Sequence, residues 1–95
     1  MAVLSEDEVR AAVGEMEGWE SAGDEISKQF SFAGFPDAVA FVVRVAFAAE
    51  AANHHPDLDV RYNKVRVTLS THSEGGVTAK DLDLAGAIED VVPAQ

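Results

Sequence analysis

The sequence predicts an α+β fold in which a four-stranded antiparallel sheet carries three helices on one face, in the order α-β-β-α-β-β-α. Three observations lead to this prediction. Two pairs of alternating apolar and polar segments are each joined by a tight turn, three segments repeat apolar residues at helical spacing, and one of these helical segments separates the two pairs. Such elements assemble as a sheet covered by helices on one side. A length of 95 residues leaves room for one core, so we predict a single domain over residues 1–95.

The two outer helices each begin at a capping box. The first box starts at Ser5, and acidic residues fill the following turn, so a helix is predicted over residues 6–16. The second box starts at Thr78 and continues at Asp81. Apolar residues then recur at helical spacing, and this third helix is predicted to end at Pro93.

Two hairpins supply the four strands. The first is predicted over residues 19–22 and 25–32, with Gly23-Asp24 as its turn. The second covers residues 58–62 and 65–71, with Asn63-Lys64 as its turn. Alternation along each pair is typical of antiparallel strands with one buried face and one exposed face.

The middle helix, predicted over residues 36–52, is apolar on nearly every side. Two apolar stripes run along it: Val39, Val42, Val43, Ala46 and Phe47 form one, and Phe41, Val45, Ala48 and Ala52 form the other. A helix of this kind is normally buried on all sides, and so short a chain cannot cover both stripes. We therefore expect one stripe to pack on the sheet and the other on a second copy of the chain. The alternative is a helix that is merely rich in alanine.

Composition excludes several classes of protein. Seven basic residues stand against 17 acidic ones, a net charge of −10, which argues against binding to nucleic acid or to anionic membranes. The absence of cysteine excludes disulfides and thiolate metal sites. The longest apolar run, residues 38–43, is far too short to span a membrane, and the first residues lack the pattern of a secretory signal. We expect a soluble, cytoplasmic protein.

All three histidines lie close together in the sequence. His54 and His55 follow the middle helix directly, with Pro56 turning the chain, and His72 ends a strand. Because a helix end and a strand end can meet at one rim of a sheet, these side chains are candidates for proton transfer near neutral pH. The alternatives are surface or capping residues, or a three-histidine metal site. The metal site is disfavoured because adjacent histidines project in different directions, so none is predicted.

Two carboxylates and one aromatic residue are further candidates. Asp81 shares the apolar stripe of the third helix, so it needs a partner: its own helix cap, a histidine, or a ligand N–H group. Glu50 precedes His54 by one helical turn and could face the same site. Trp19 could stack on a flat ligand, although packing within the hairpin is the favoured interpretation.

Several segments together resemble the pterin-4a-carbinolamine dehydratases. They combine His-His-Pro, Tyr-Asn and Thr-His at specific spacings, and they lie in residues 50–57, 62–65, 69–72, 76–78 and 81–85. Weaker similarity extends upstream, so the resemblance covers essentially the whole chain. It implies a four-stranded sheet with three helices, dimers joined at sheet edges, and in many members tetramers built on the middle helix.

The resemblance also implies a reaction and the residues for it. The family removes water from a 4a-hydroxytetrahydropterin to give a quinonoid dihydropterin, and so recycles the cofactor of aromatic amino acid hydroxylases without a metal or organic cofactor. His54 and His72 match the acid/base pair, and His55 matches a histidine that binds and orients the ring. Asp81 matches an aspartate that holds a histidine tautomer, and Glu50 an acidic position near the pocket. Some members carry tryptophan where this chain has Leu58, so an aromatic wall is missing there.

Two other interpretations remain open from the sequence. One is an oligomeric binding module that pairs with a partner through the middle helix, as mammalian members of the family do with a homeodomain transcription factor. Nothing in this sequence indicates that it has the same partner. The other is a pterin-processing role outside hydroxylase recycling.

Overall fold

A computed structural model describes residues 2–93 and contains the predicted order of elements. The elements are α1 (Glu6–Gly14), β1 (Glu20–Ala22), β2 (Glu25–Ser31), α2 (Phe35–Ala52), β3 (Asp57–Arg61), β4 (Lys64–Leu69), a short 3-10 helix (His72–Glu74) and α3 (Ala79–Asp90). The predicted α+β class, with a four-stranded antiparallel sheet and three α-helices, is confirmed. Residues 1, 94 and 95 of the predicted domain lie outside the described residues.

The sheet has the strand order β1-β2-β4-β3, so the two hairpins meet at its centre. The pairing of β2 with β4 places Phe30 opposite Val65 and Ile26 opposite Leu69. These four side chains are buried on the helix-covered face. The opposite face is polar, and there Arg66 donates a hydrogen bond to Ser27. The period-two pattern of the sequence therefore separates a core face from a solvent face.

An aromatic cluster joins α2 to the sheet. Phe41 is completely buried, and its ring centroid lies 4.8 Å from that of Phe30 and 5.0 Å from that of Phe32. Val45 and Ala49 extend the buried stripe along the helix, each at the spacing of one turn. This stripe fixes where the carboxyl end of α2 lies.

The opposite face of α2 is exposed. Phe47 is 74% exposed and Val43 50% exposed, whereas Val45 is completely buried. The stripe that contains Val43 and Phe47 is therefore largely exposed in the single chain. Despite its apolar character, α2 is not a membrane span, and no other helix within residues 2–93 is long and apolar enough to cross a bilayer.

Both predicted capping boxes are present. At α1, the Glu8 carboxylate accepts a hydrogen bond from the Ser5 backbone N–H at 2.8 Å, and the Ser5 hydroxyl accepts one from the Glu8 N–H. Hydrogen bonding of its carboxylate by Ser5, foremost by the backbone N–H and then by the side chain, lowers the pKa of Glu8. At α3, Thr78 and Asp81 form the corresponding box.

Several predicted boundaries were wrong by a few residues. The first helix ends at Gly14 and the third at Asp90. The turn of the second hairpin is Tyr62-Asn63, because Arg61 already pairs with Lys64. Tyr62 adopts a left-handed conformation there, with a φ of 53°, and the Asn63 side chain donates to the Phe32 carbonyl at 2.8 Å.

Removing the Phe41 ring tests whether the aromatic cluster holds α2 on the sheet. We expect Phe41→Ala to lower the free energy of unfolding by about 3–5 kcal/mol, because it leaves a cavity among buried aromatic rings. Gln29→Ala, on the exposed face of the sheet, should change it by less than about 0.5 kcal/mol. Urea denaturation followed by circular dichroism measures both, and equal effects of the two variants would contradict this description of the core.

Candidate active site

The carboxyl end of α2 positions His54 through its backbone. Asn53 adopts a left-handed conformation with a φ of 49°. Its N–H donates to the Glu50 carbonyl, and the N–H of His54 donates to the Ala49 carbonyl, both at 3.1 Å. This pair of bonds is the Schellman motif, with asparagine where glycine is commonest. The helix therefore ends at Ala52, before Pro56 could interrupt it, and these two bonds hold the His54 backbone against the last turn.

His54 contacts the buried carboxylate of Asp81. Its Nε2 lies 2.5 Å from Asp81 Oδ1, and its side chain is only 11% exposed, while that of Asp81 is completely buried. Two of the three partners considered for Asp81 are present: His54, and the start of α3, which this carboxylate caps. His54 is thus held by side chain as well as by backbone.

Two threonines complete the surroundings of Asp81. Its Oδ2 accepts hydrogen bonds from the Thr78 backbone N–H at 2.9 Å and from the Thr71 hydroxyl at 2.8 Å. Since the Thr71 proton is used there, the Thr78 hydroxyl donates to Thr71 Oγ1 at 2.8 Å, and Thr78 Oγ1 accepts the backbone N–H of Lys80. Every proton of this chain of bonds points toward the carboxylate.

The tautomer of His54 follows from the charge state of Asp81. An ionised carboxylate only accepts hydrogen bonds, so beside an ionised Asp81 the Nε2 of His54 carries the proton that faces the carboxylate. In the neutral ring the other nitrogen, Nδ1, then has a free lone pair. The arrangement holds Nε2 of His54 against the carboxylate and leaves Nδ1 as the ring nitrogen that can accept a proton.

His55 has a different and more exposed environment. Its Nε2 lies 2.7 Å from Glu50 Oε1, and the two side chains are 61% and 75% exposed. The expectation that Glu50 faces the same site as His54 is met only indirectly, since its partner within the described residues is His55. An exposed pair of this kind contributes little to stability, so it leaves His55 free to reorient toward a ligand.

His72 lies on a tight loop after β4. The strand ends at Leu69 rather than at Thr71, and His72 begins the short 3-10 helix, so its predicted place at a strand end was wrong. Thr71 pairs with Gly76 across the loop, and Gly75 supplies the positive φ of 80° that the turn needs. The loop presents His72 on the surface, where it is exposed.

A cavity of about 300 Å³ brings the three histidines together. Its lining residues are Asn53, His54, His55, Ser70, Thr71, His72, Ser73 and Lys80. This volume is near the lower end of the range of roughly 300–1,000 Å³ for small-molecule sites. Within residues 2–93 no cluster of three or more His, Asp or Glu side chains is arranged to hold a metal ion.

Sequence reasoning missed some residues of the site. Thr71, Thr78 and Lys80 were not singled out as site residues; the only signal for the two threonines was the Thr-His pair and the capping box that contain them. Trp19 is buried and donates from Nε1 to Glu89 at 2.9 Å. It therefore packs within the fold, which is the interpretation that the sequence favoured, and does not line the cavity.

The fold and the site define a small α+β protein with three histidines around an open pocket. Comparison with known proteins gives the family. The family model described as "Pterin 4 alpha carbinolamine dehydratase" matches residues 2–91, and the chain belongs to this family. A protein of Roseiflexus castenholzii assigned to the same family is 50% identical over 91 residues, which cover 96% of this chain and 98% of the relative.

Two solved structures are similar in fold. The transcriptional coactivator/pterin dehydratase from Brucella melitensis superposes with a TM-score of 0.89 and is 35% identical, covering 96% of this chain and 99% of that one. A pterin dehydratase-like protein identified as a RuBisCO assembly factor in the alpha-carboxysome has a TM-score of 0.64. It is 18% identical and covers 81% of this chain and 89% of its own, so it is similar in fold alone.

Removal of the Asp81 carboxylate tests its structural role. Asp81→Ala leaves the Thr78 N–H and the Thr71 hydroxyl without their acceptor, so we expect a loss of about 2–4 kcal/mol in the free energy of unfolding. Asp83→Ala, an exposed position on the same helix, should cost less than about 0.5 kcal/mol. Urea unfolding of both variants measures the difference. A cost for Asp81→Ala as small as that for Asp83→Ala would show that the carboxylate does not tie these segments together.

Proposed function

We propose that this protein dehydrates 4a-hydroxytetrahydropterins to quinonoid dihydropterins, and that it recycles a tetrahydrobiopterin-type cofactor in the cytoplasm. The observation that carries the proposal is the fixed contact between His54 and the buried Asp81 at the edge of a cavity that His55 and His72 also line. Membership of the family supports the same reaction class.

The reaction requires two proton transfers. The C4a–O bond breaks as the hydroxyl takes a proton and leaves as water, the N5–H bond gives up its proton, and the electron pair of that bond forms the N5=C4a double bond. One group must therefore accept a proton and another must donate one, each contributing about 10²- to 10⁴-fold. No oxidant or reductant is involved, so the site needs only acids, bases and a means of holding the ring.

We assign the two proton transfers to His54 and His72. His54 has one nitrogen occupied by Asp81, so its free Nδ1 exchanges a proton with the substrate while the carboxylate stabilises the charged ring. His72, which lines the same cavity, supplies the complementary group. His55 binds and orients the ring, and Glu50 holds His55 in place when the cavity is empty.

The exposed face of α2 favours a second proposal, that the protein forms a homodimer or homotetramer. Phe35, Val39, Val43 and Phe47 are all exposed, and they follow one another at intervals of four residues. Such a ridge fits the groove beside the same ridge on another helix, and a two-fold axis lets one surface serve both copies. We propose a second copy of this chain as the occupant, with the edges of the sheet as a further contact.

The activity test compares single variants with the double variant. We expect His54→Ala and His72→Ala each to lower kcat by about 10²- to 10⁴-fold, and His54→Ala/His72→Ala to approach the rate in buffer. The absorbance of the quinonoid product follows the reaction, and circular dichroism checks that each variant is folded. A folded wild-type protein that reacts no faster than buffer would contradict the proposed activity, and a fully active double variant would contradict the assignment.

The oligomer test uses a charge on the ridge. Val43→Asp should convert the protein to a smaller species, because burying a carboxylate in an apolar interface is costly. Arg44→Ala, the exposed neighbour outside the ridge, serves as the control and should leave the mass unchanged. Light scattering after size-exclusion chromatography gives the mass, and a monomeric wild-type protein at about 100 μM would contradict the proposal.

A further inference from the structure

We propose that Lys80 is a substrate-binding residue, whose ammonium group donates a hydrogen bond to an oxygen of the bound pterin. This inference rests on the proposed function, and it concerns a residue that the histidine chemistry does not use. It follows from the position of Lys80 relative to His54, from its lack of a charged partner, and from its location on α3.

Lys80 and His54 together border two adjoining cavities. The first is the histidine-lined cavity, and the second, of about 160 Å³, lies on the side of His54 toward α3. The residues that line the second cavity are Ala52, His54, Lys80, Asp83, Leu84 and Ala87. A ligand that reaches His54 from either side therefore comes within range of the Lys80 side chain.

The charge of Lys80 is available to a ligand. Of the seven basic side chains, four lie within 4.0 Å of a carboxylate of the described residues: those of Arg10, Lys28, Arg61 and Arg66. Lys80 makes no such ion pair with any residue in the range 2–93. In a chain with a net charge of −10, it is the one Lys or Arg side chain in the lining of the histidine cavity.

The position of Lys80 on its helix is locally unfavourable. It lies in the first turn of α3, directly before Asp81, where the helix macrodipole disfavours a positive charge. The other two α-helices carry only acidic charges in their first turns. The Lys80 backbone N–H is bound to Thr78 Oγ1, so its Cα is fixed beside the hydrogen-bonded Asp81 while its side chain extends toward the cavities.

The reaction indicates which part of the substrate Lys80 meets. Positive charge develops at N5 as the hydroxyl leaves, so an ammonium group beside N5 would oppose the reaction. A lysine is compatible with catalysis when it binds an acceptor oxygen elsewhere on the pterin. Two sources have this chemistry: the carbonyl oxygen of the pyrimidinone ring, and a hydroxyl or carboxylate on the ring substituent.

The experiment measures turnover and binding side by side. For wild type, Lys80→Gln and Lys80→Arg, steady-state dehydration gives kcat and KM, and titration calorimetry gives the Kd of biopterin. Lys80→Gln should raise KM and Kd about 5- to 20-fold with kcat changed less than about twofold, since the lost bond is present before and during reaction. Lys80→Arg should restore most of the affinity, and Lys64→Gln, at the far end of β4, should match wild type.

Three ligands distinguish the two sources of oxygen. If Lys80→Gln weakens 6-methylpterin, biopterin and pterin-6-carboxylate by the same factor, the bond is to the ring. If it weakens only the last two, the bond is to the substituent.

Different results would overturn the role of Lys80 and the proposed reaction. Unchanged Kd and KM in Lys80→Gln, with an active wild type, would overturn the role of Lys80 and leave the dehydratase proposal standing. A wild type that binds pterin in a Lys80-dependent manner without turnover would overturn the proposed reaction alone. A wild type that neither binds pterin nor reacts would overturn both.

Discussion

The buried carboxylate of Asp81 is the constraint on which the site depends. A carboxylate removed from water destabilises the fold unless hydrogen bonds replace its hydration, and the penalty is several kcal/mol. Here the replacement comes from three separate parts of the chain: Thr78 at the start of α3, Thr71 after β4, and His54 after α2. If any one of these groups moved away, the buried carboxylate would be incompletely solvated and the fold would be destabilised.

The antiparallel pairing of β3 with β4 brings these parts together. Asp57 lies opposite Thr68. His54 precedes Asp57 by three residues and Thr71 follows Thr68 by three residues, and since the strands run in opposite directions, both lie beyond the same end of the sheet. The 18 residues of α2 span about 27 Å at 1.5 Å per residue, which returns the chain to that end. The register of β3 with β4 therefore brings His54 to the same end of the sheet as Thr71 and His72, although they are far apart in sequence.

The sequence predicted the fold better than it predicted the site, for physical reasons. Element type follows from periodicity and capping, which are local, and burial of Phe30 follows from the same patterns. Which apolar stripe of α2 faces the sheet, that of Phe41, needed the tertiary structure. The carboxylate of Asp81 could be flagged because it interrupts an apolar stripe, yet its choice between cap and histidine needed the tertiary structure, which shows both. The partner of Glu50 depends on the left-handed Asn53, a conformation that the Asn-His-His-Pro run does not specify. Lys80 carries no signal in the sequence, because an exposed lysine in a first helical turn resembles any solvated residue.

The middle helix joins stability, the site and the proposed assembly. Its buried stripe, which includes Phe41 and Val45, anchors it to the sheet, its carboxyl end holds His54, and its exposed ridge ends at Phe47, two turns before that histidine. In a chain this short the core alone gives modest stability, and a helix end is the part of a helix that frays first. Pairing of the ridge with a second copy would add stability by mass action close to the end from which His54 extends. In the proposed oligomer the apolar ridge would then also serve the site, because it would limit fraying at the end of α2 and so help to keep the His54–Asp81 contact intact.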